Sequence, residues 1–122
     1  MVKDHEAKIN DLKDKIKEFC EDRDWDQFHN AKDLAIALSI EASELLELFR
    51  WKSGNEVEEL FQNEKKREDI EDEMADILYF LVRMAQRHNI DLSEALDKKM
   101  EKNNNKYPIE KARGSNKKYT EL

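Results

Sequence analysis

Apolar residues return at helical spacing along most of the chain. Leu34, Ala37, Leu38, Leu45 and Leu48 fall on one side of a helix that begins after Asn30, and Ile70, Ile77, Phe80 and Met84 line one side of a longer helix over 66–87. An earlier stripe of Ile9, Leu12, Ile16 and Phe19, with charge all round it, predicts an amphipathic first helix over 3–22. Val57, Leu60 and Phe61 mark a short helix over 56–63, and Leu92, Leu96 and Met100 mark a last one. With two Gly, one Pro and few β-branched residues, nothing in this pattern calls for strands. The expectation is an all-α fold: an antiparallel bundle of four to five helices in a single domain spanning 1–122, completed by oligomerisation.

The boundaries carry their own signals. Asn30 can cap the second helix, with Asp33 at the third position, and that helix should run to 51–52 before Ser53-Gly54-Asn55 ends it with residues tolerant of left-handed backbone. His88-Asn89 closes the long helix, and Asp91-x-x-Glu94 is a capping box for the last one. That helix should fray in Asn103, Asn104 and Asn105 and stop before Pro108. Arg23 to His29 shows no stripe and reads as a loop, rich enough in Trp25, Phe28 and His29 to plug a bundle end or line a pocket. The segment 109–122 has no periodicity and is basic through Lys111, Arg113, Lys117 and Lys118, so it reads as a mobile, solvated arm.

Two helices break the amphipathic rule in the same way. Glu41 and Glu44 lie on the apolar side of one, and Glu73 and Asp76 on the apolar side of the other, each pair three residues apart. Ionised carboxylates are costly to bury unless paired, protonated or bound to metal. One such pair is ordinarily an edge-of-stripe pair or a partner for Lys or Arg. For two pairs, a shared cation is the single cause that accounts for both. Four carboxylates with no Cys or His among them are hard ligands, suited to Mg²⁺ or Mn²⁺ and not Zn²⁺. Glu47 extends the first row by one turn. The Glu-x-x-His pattern of di-iron bundles is missing from both helices, which argues against a ferritin-like redox site.

Composition narrows the partners. Charged residues make up 42% of the chain and mean hydropathy is −0.99, but the sustained periodicity argues against disorder through the middle. A formal charge of −7 is a poor match to a phosphate backbone, so no nucleic acid is expected, and no run is long and apolar enough for a membrane. Cys20 is alone, which fits a reducing cytoplasm. Lys99, Asn103 and Lys106, spaced by four and three, share a face of the last helix. That is ordinarily a solvated face, but beside a metal site it would supply donors to a phosphate chain.

The chain resembles the MazG-like, all-α nucleoside triphosphate pyrophosphohydrolases, and within them the dCTP pyrophosphatase branch. The resemblance is carried by Glu41-x-x-Glu44 and Glu73-x-x-Asp76, together with Trp25-Asp-Gln-Phe-His29, Phe49-Arg-Trp51-Lys, Lys99-Met-x-x-Asn103, Tyr107-Pro108, Ala112-Arg113-Gly114-Ser115 and Lys118-Tyr119-Thr120-Glu121-Leu122. It implies cleavage of a nucleoside triphosphate, dCTP or a modified dCTP, to the monophosphate and pyrophosphate. It also implies Mg²⁺ held by Glu41, Glu44, Glu73 and Asp76, and a homodimer or homotetramer with sites where subunits meet. The base would lie in an aromatic pocket that maps onto Trp25 and Trp51, with His29 nearby. One position departs: the branch has Tyr four residues after the last acid, where this chain has Phe80, with Tyr79 one position earlier. No Ser, Cys or His is placed as an activated nucleophile, so direct attack by water is expected. Two other readings stand beside this one: a dUTP/dUDP-type phosphohydrolase of other specificity, and a non-enzymatic helical oligomer or adaptor.

Overall fold

The structure, a computed structural model, describes residues 1–122 and contains helices and turns with no strand. It divides into two compact units, Met1–Asn89 and Ile90–Leu122. The first holds α1 (Ile9–Asp22), α2 (Ala31–Glu47), α3 (Gly54–Leu60) and α4 (Glu64–Arg87). The second holds α5 (Leu92–Lys106) and the single turn α6 (Ile109–Ala112). No helix is long and apolar enough to cross a membrane.

In the first unit α4 is the spine, packed against α2 and against α1. Leu34 of α2, Cys20 of α1, and Ile70, Val82 and Ala85 of α4 are buried, and so is the side chain of Arg83. The first helix starts at Ile9, later than the expected residue 3, because the residues before it bring no apolar face to bury; the Asp11 carboxylate accepts the Lys8 N–H at 2.9 Å and fixes the start. The stretch after α1 contains a 3-10 turn at Asp26–Phe28, which the aromatic-rich sequence did not signal. Asn30 caps α2 as expected, its side chain accepting the Asp33 N–H at 2.9 Å.

The far end of α2 differs from the expectation. The helix stops at Glu47 and tightens through bonds from Leu48 N–H to Leu45, Phe49 N–H to Leu46 and Arg50 N–H to Glu47. Trp51 then takes the left-handed conformation, φ +62°, instead of a residue of Ser53-Gly54-Asn55. Ser53 instead opens α3: its Oγ accepts the Glu56 N–H, and the Glu56 carboxylate accepts the Ser53 N–H. Asn63 caps α4 through the Lys66 N–H, and Asn89, φ +53°, follows its end.

In the second unit Asp91 caps α5 by accepting the Glu94 N–H at 2.9 Å. The helix does not fray at its three asparagines but continues to Lys106, where the Tyr107 N–H closes onto the Asn103 carbonyl at 2.8 Å. The basic C-terminal segment, expected to be a free arm, is folded. After α6 and Gly114 (φ +73°), a 3-10 turn at Tyr119–Glu121 sets the Tyr119 ring edge-on to Tyr107, centroids 6.0 Å apart. Lys106 Nζ lies 4.7 Å from the centre of the Tyr119 ring. These contacts tie a segment with no periodic stripe to the end of α5.

Candidate active site

The predicted acidic stripes face each other. α2 presents Glu41 between the half-buried Leu38 and Leu45, and α4 presents Glu73 and Asp76 one turn apart. Carboxylate oxygens of Glu41, Glu73 and Asp76 lie within 4.8 Å of one another, a spacing that one ion can bridge. Glu44 is not in that trio, but one turn along α2 it acts on Glu41 through hydrogen bonding and like charge. Glu47 is drawn off instead to Arg50, whose guanidinium sits 3.2 Å from its carboxylate.

The electrostatics are those of a site short of positive charge. Oε2 of Glu41 and Oε2 of Glu73 are both buried with no hydrogen-bond partner. The Glu41 carboxyl is pushed up to about 7, first by burial, then by hydrogen bonding to Glu73 and Glu44 and by the charges of Glu44 and Asp76. No Lys or Arg makes an ion pair with any of the four acids. Buried acceptors without donors, all oxygen and all anionic, fit a hard divalent cation.

Seven residues beyond Asp76, on the same side of α4, the opposite case appears. Arg83 is fully buried, and each of its three guanidinium nitrogens has an acceptor. Its Nε–H donates to His29 Nδ1 at 2.9 Å, its Nη2–H to the Asp26 carboxylate and its Nη1–H to the Gln86 side-chain oxygen. Arg87 adds a second cation 3.5 Å from Asp26. The Asp26 carboxyl is held below its ordinary range, above all by the hydrogen bond from Arg83, and the His29 imidazole below its own by burial and by Arg83 and Arg87. Sequence reasoning missed Arg83. The signal was a lone cation inside the apolar run Phe80-Leu81-Val82-Arg83-Met84-Ala85, two turns from Asp76.

The remaining predicted residues divide. Trp25 is partly exposed, edge-on to Phe19 (5.7 Å) and 6.1 Å from the His29 ring, so it is neither a core plug nor fully free. Trp51 is 87% exposed, with the Arg50 guanidinium 5.1 Å from its ring. A bulky residue with positive φ and an open face is strained and unburied, which a packing role does not explain. Phe80 is half-buried on the acid stripe, while the Tyr79 hydroxyl is committed elsewhere, 3.1 Å from the buried Cys20 Sγ. Burial and Cys20 raise the phenol well above its usual range. Lys99, Asn103 and Lys106 all fall within α5, with Asn103 half-buried and Lys106 over Tyr119.

The model of the MazG-like family matches residues 36–122, a span that contains all four acids, and the chain belongs to that family. Among curated proteins it is similar to dCTP pyrophosphatase 1 of Mus musculus, 40% identical over 117 residues, which is 96% of this chain and 69% of the relative. The Homo sapiens protein of the same name is 39% identical over the same shares. A crystal structure of a pyrophosphatase from Archaeoglobus fulgidus superposes with a TM-score of 0.77 at 38% identity, covering 88% of this chain and 99% of the other. The family match begins after the Trp25–His29 segment.

Proposed function

We propose that this protein hydrolyses nucleoside triphosphates between the α and β phosphates, releasing the monophosphate and pyrophosphate, with dCTP or a modified dCTP preferred. The reaction class follows from its family and from the pyrophosphatase relatives. The single observation that carries the site assignment is the cluster of Glu41, Glu73 and Asp76, with two buried carboxylate oxygens that nothing in the chain satisfies. Glu41, Glu44, Glu73 and Asp76 would hold Mg²⁺, with Mn²⁺ as a substitute. A divalent cation there would neutralise phosphate charge and polarise the anhydride under attack. The carboxylates also supply the base. One of them orients a water and takes its proton as the water oxygen bonds to phosphorus, while the α–β anhydride bond breaks and the leaving phosphate oxygen carries the electron pair away.

The cytosine base is assigned to Trp25 and Trp51, for stacking, with His29 at its edge and Phe80 on the stripe between acids and base. Support comes from the exposed Trp51 ring and from Tyr79, whose hydroxyl is spent on Cys20, leaving an apolar surface at Phe80. Lys99, Asn103 and Lys106 offer the donors a phosphate chain needs. We assign a homodimer or homotetramer. An apolar groove lined by Leu45, Met74, Ala75, Ile77, Leu78 and Leu81 runs beside the acids, and Ile36, Ile40 and Leu46 on α2 are at least half exposed. A surface of that kind is ordinarily covered by another subunit. The same proposal places the protein in the cytoplasm.

Incubation of the protein with a panel of nucleotides and Mg²⁺, followed by product analysis, tests the reaction. Monophosphate and pyrophosphate in equal amounts, with dCTP turned over fastest, are expected. Diphosphate with phosphate, or no pyrophosphate from any triphosphate, contradicts the assignment.

A further inference from the structure

The buried cation of α4 determines the state of a side chain on the segment between α1 and α2. A guanidinium does not give up its proton in a protein, so the nitrogen that receives the Arg83 Nε–H must offer a lone pair. That nitrogen is Nδ1 of His29, 2.9 Å away. A neutral imidazole with a bare Nδ1 carries its one proton on Nε2. Placing a proton on Nδ1 would set two N–H groups against each other. The charged groups that face the ring are Arg83, Arg87 and Asp26, and burial with the two cations outweighs the one anion, so the ring stays neutral. Asp26 and Gln86 hold the other two arms of the guanidinium, which leaves Arg83 no other orientation.

We infer that Arg83 is a positioning residue for specificity: by locking His29 as an Nε2–H donor, it makes the pocket select a base whose facing edge accepts. This rests on the reading of Trp25 and His29 as base contacts. Cytosine presents a bare N3 on that edge, whereas uracil and thymine present N3–H and would meet the donor head-on. The Trp25 face beside His29 supplies stacking that every base accepts, so discrimination falls to the imidazole. The distances suit a nucleotide. Arg83 stands seven residues from Asp76 on one helix face, about 10 Å along the axis, so the acids and the histidine anchor are two turns apart.

The test has two arms on the full chain. Nitrogen-15 NMR of the His29 ring should show a proton on Nε2 and none on Nδ1, and dCMP should shift Nε2 more than Nδ1. The ratio of kcat/KM for dCTP over dUTP is then measured in wild type, Arg83→Met, His29→Gln and the double variant. Arg83→Met should lower the ratio about tenfold, mainly through KM for dCTP, because the tautomer is no longer fixed. In His29→Gln the new side-chain amide offers a donor near the Nε2 position without help from Arg83, so adding Arg83→Met to that variant should change the ratio little. A proton on Nδ1 in wild type overturns the inference, as does an unchanged ratio in folded Arg83→Met. If Arg83→Met does not fold, His29→Ala decides: a wild-type ratio there overturns the inference and a lowered one upholds it. Pyrophosphate still formed in any of these failures leaves the reaction assignment standing, and its absence with every triphosphate in wild type removes that assignment instead.

Discussion

One side of α4 carries charge at two places and treats it in opposite ways. At Glu73 and Asp76 the carboxylates meet more carboxylate, from Glu41 and Glu44, and two of their oxygens have no partner. Two turns further on, Arg83 is more deeply buried than any of these acids, yet each arm of its guanidinium has an acceptor. Burial alone therefore does not distinguish a working charge from a structural one. What distinguishes them is whether the chain itself completes the coordination. A charge held by the chain's own partners fixes its neighbours, whereas an unpartnered one is left for something the chain does not contain.

The strongest way to break this contrast is to remove a carboxylate from the acid end. Glu73→Gln should lower kcat by about a thousandfold or more, the scale of losing an essential group at a reacting centre. It should also leave the metal-free protein melting at or above the wild-type temperature, since a source of repulsion has gone. An active Glu73→Gln enzyme would remove the acids from the mechanism. Removing a carboxylate from the other end should do the reverse. Asp26→Ala deprives the buried Arg83 of its counter-charge and should lower the melting temperature by several degrees while the acid trio keeps its metal response. Calorimetry of the two variants side by side reads both signs.

Trp51 sharpens the comparison from outside α4, as a large apolar group left uncovered in the way the acids are left unpaired. Base stacking is worth on the order of 1–3 kcal/mol, so Trp51→Ala should raise KM for dCTP by roughly one to two decades. Inorganic triphosphate, having no base, should inhibit the variant as it does wild type. Stability should hardly change, because the ring is 87% exposed. A melting temperature that collapses with KM untouched would make Trp51 a packing residue.

Much of this was legible in the sequence, because the helical period and the placement of acid on an apolar stripe are local properties. Leu34 and Ile70 are buried, as their stripes required, and Glu41 sits between Leu38 and Leu45. What was not legible depends on partners far along the chain. The end of α2 turned on Trp51 adopting a left-handed backbone, which its residue type argues against. The folded C-terminal segment turned on Tyr107 meeting Tyr119, a pair with no periodic signature. Arg83 pairs with Asp26 and His29 across more than fifty positions, and helical spacing sees only three or four. Its place as a lone cation in a run otherwise apolar was the one hint.

The most direct measurement is the melting temperature of the metal-free protein as pH is raised, with and without Mg²⁺. The Glu41 carboxyl is held near 7 in the folded chain against an ordinary 4.5, so the fold binds that proton more tightly than the unfolded chain does. Its contribution to stability is complete below about 4.5 and is lost as pH climbs through 7. The metal-free protein should therefore melt lower at pH 8 than at pH 5. Mg²⁺ should abolish that fall by neutralising the ionised cluster, and Glu41→Gln should remove both the slope and the response to Mg²⁺. A melting temperature that is flat with pH and indifferent to Mg²⁺ would contradict the claim that the unpaired acids form a cation site.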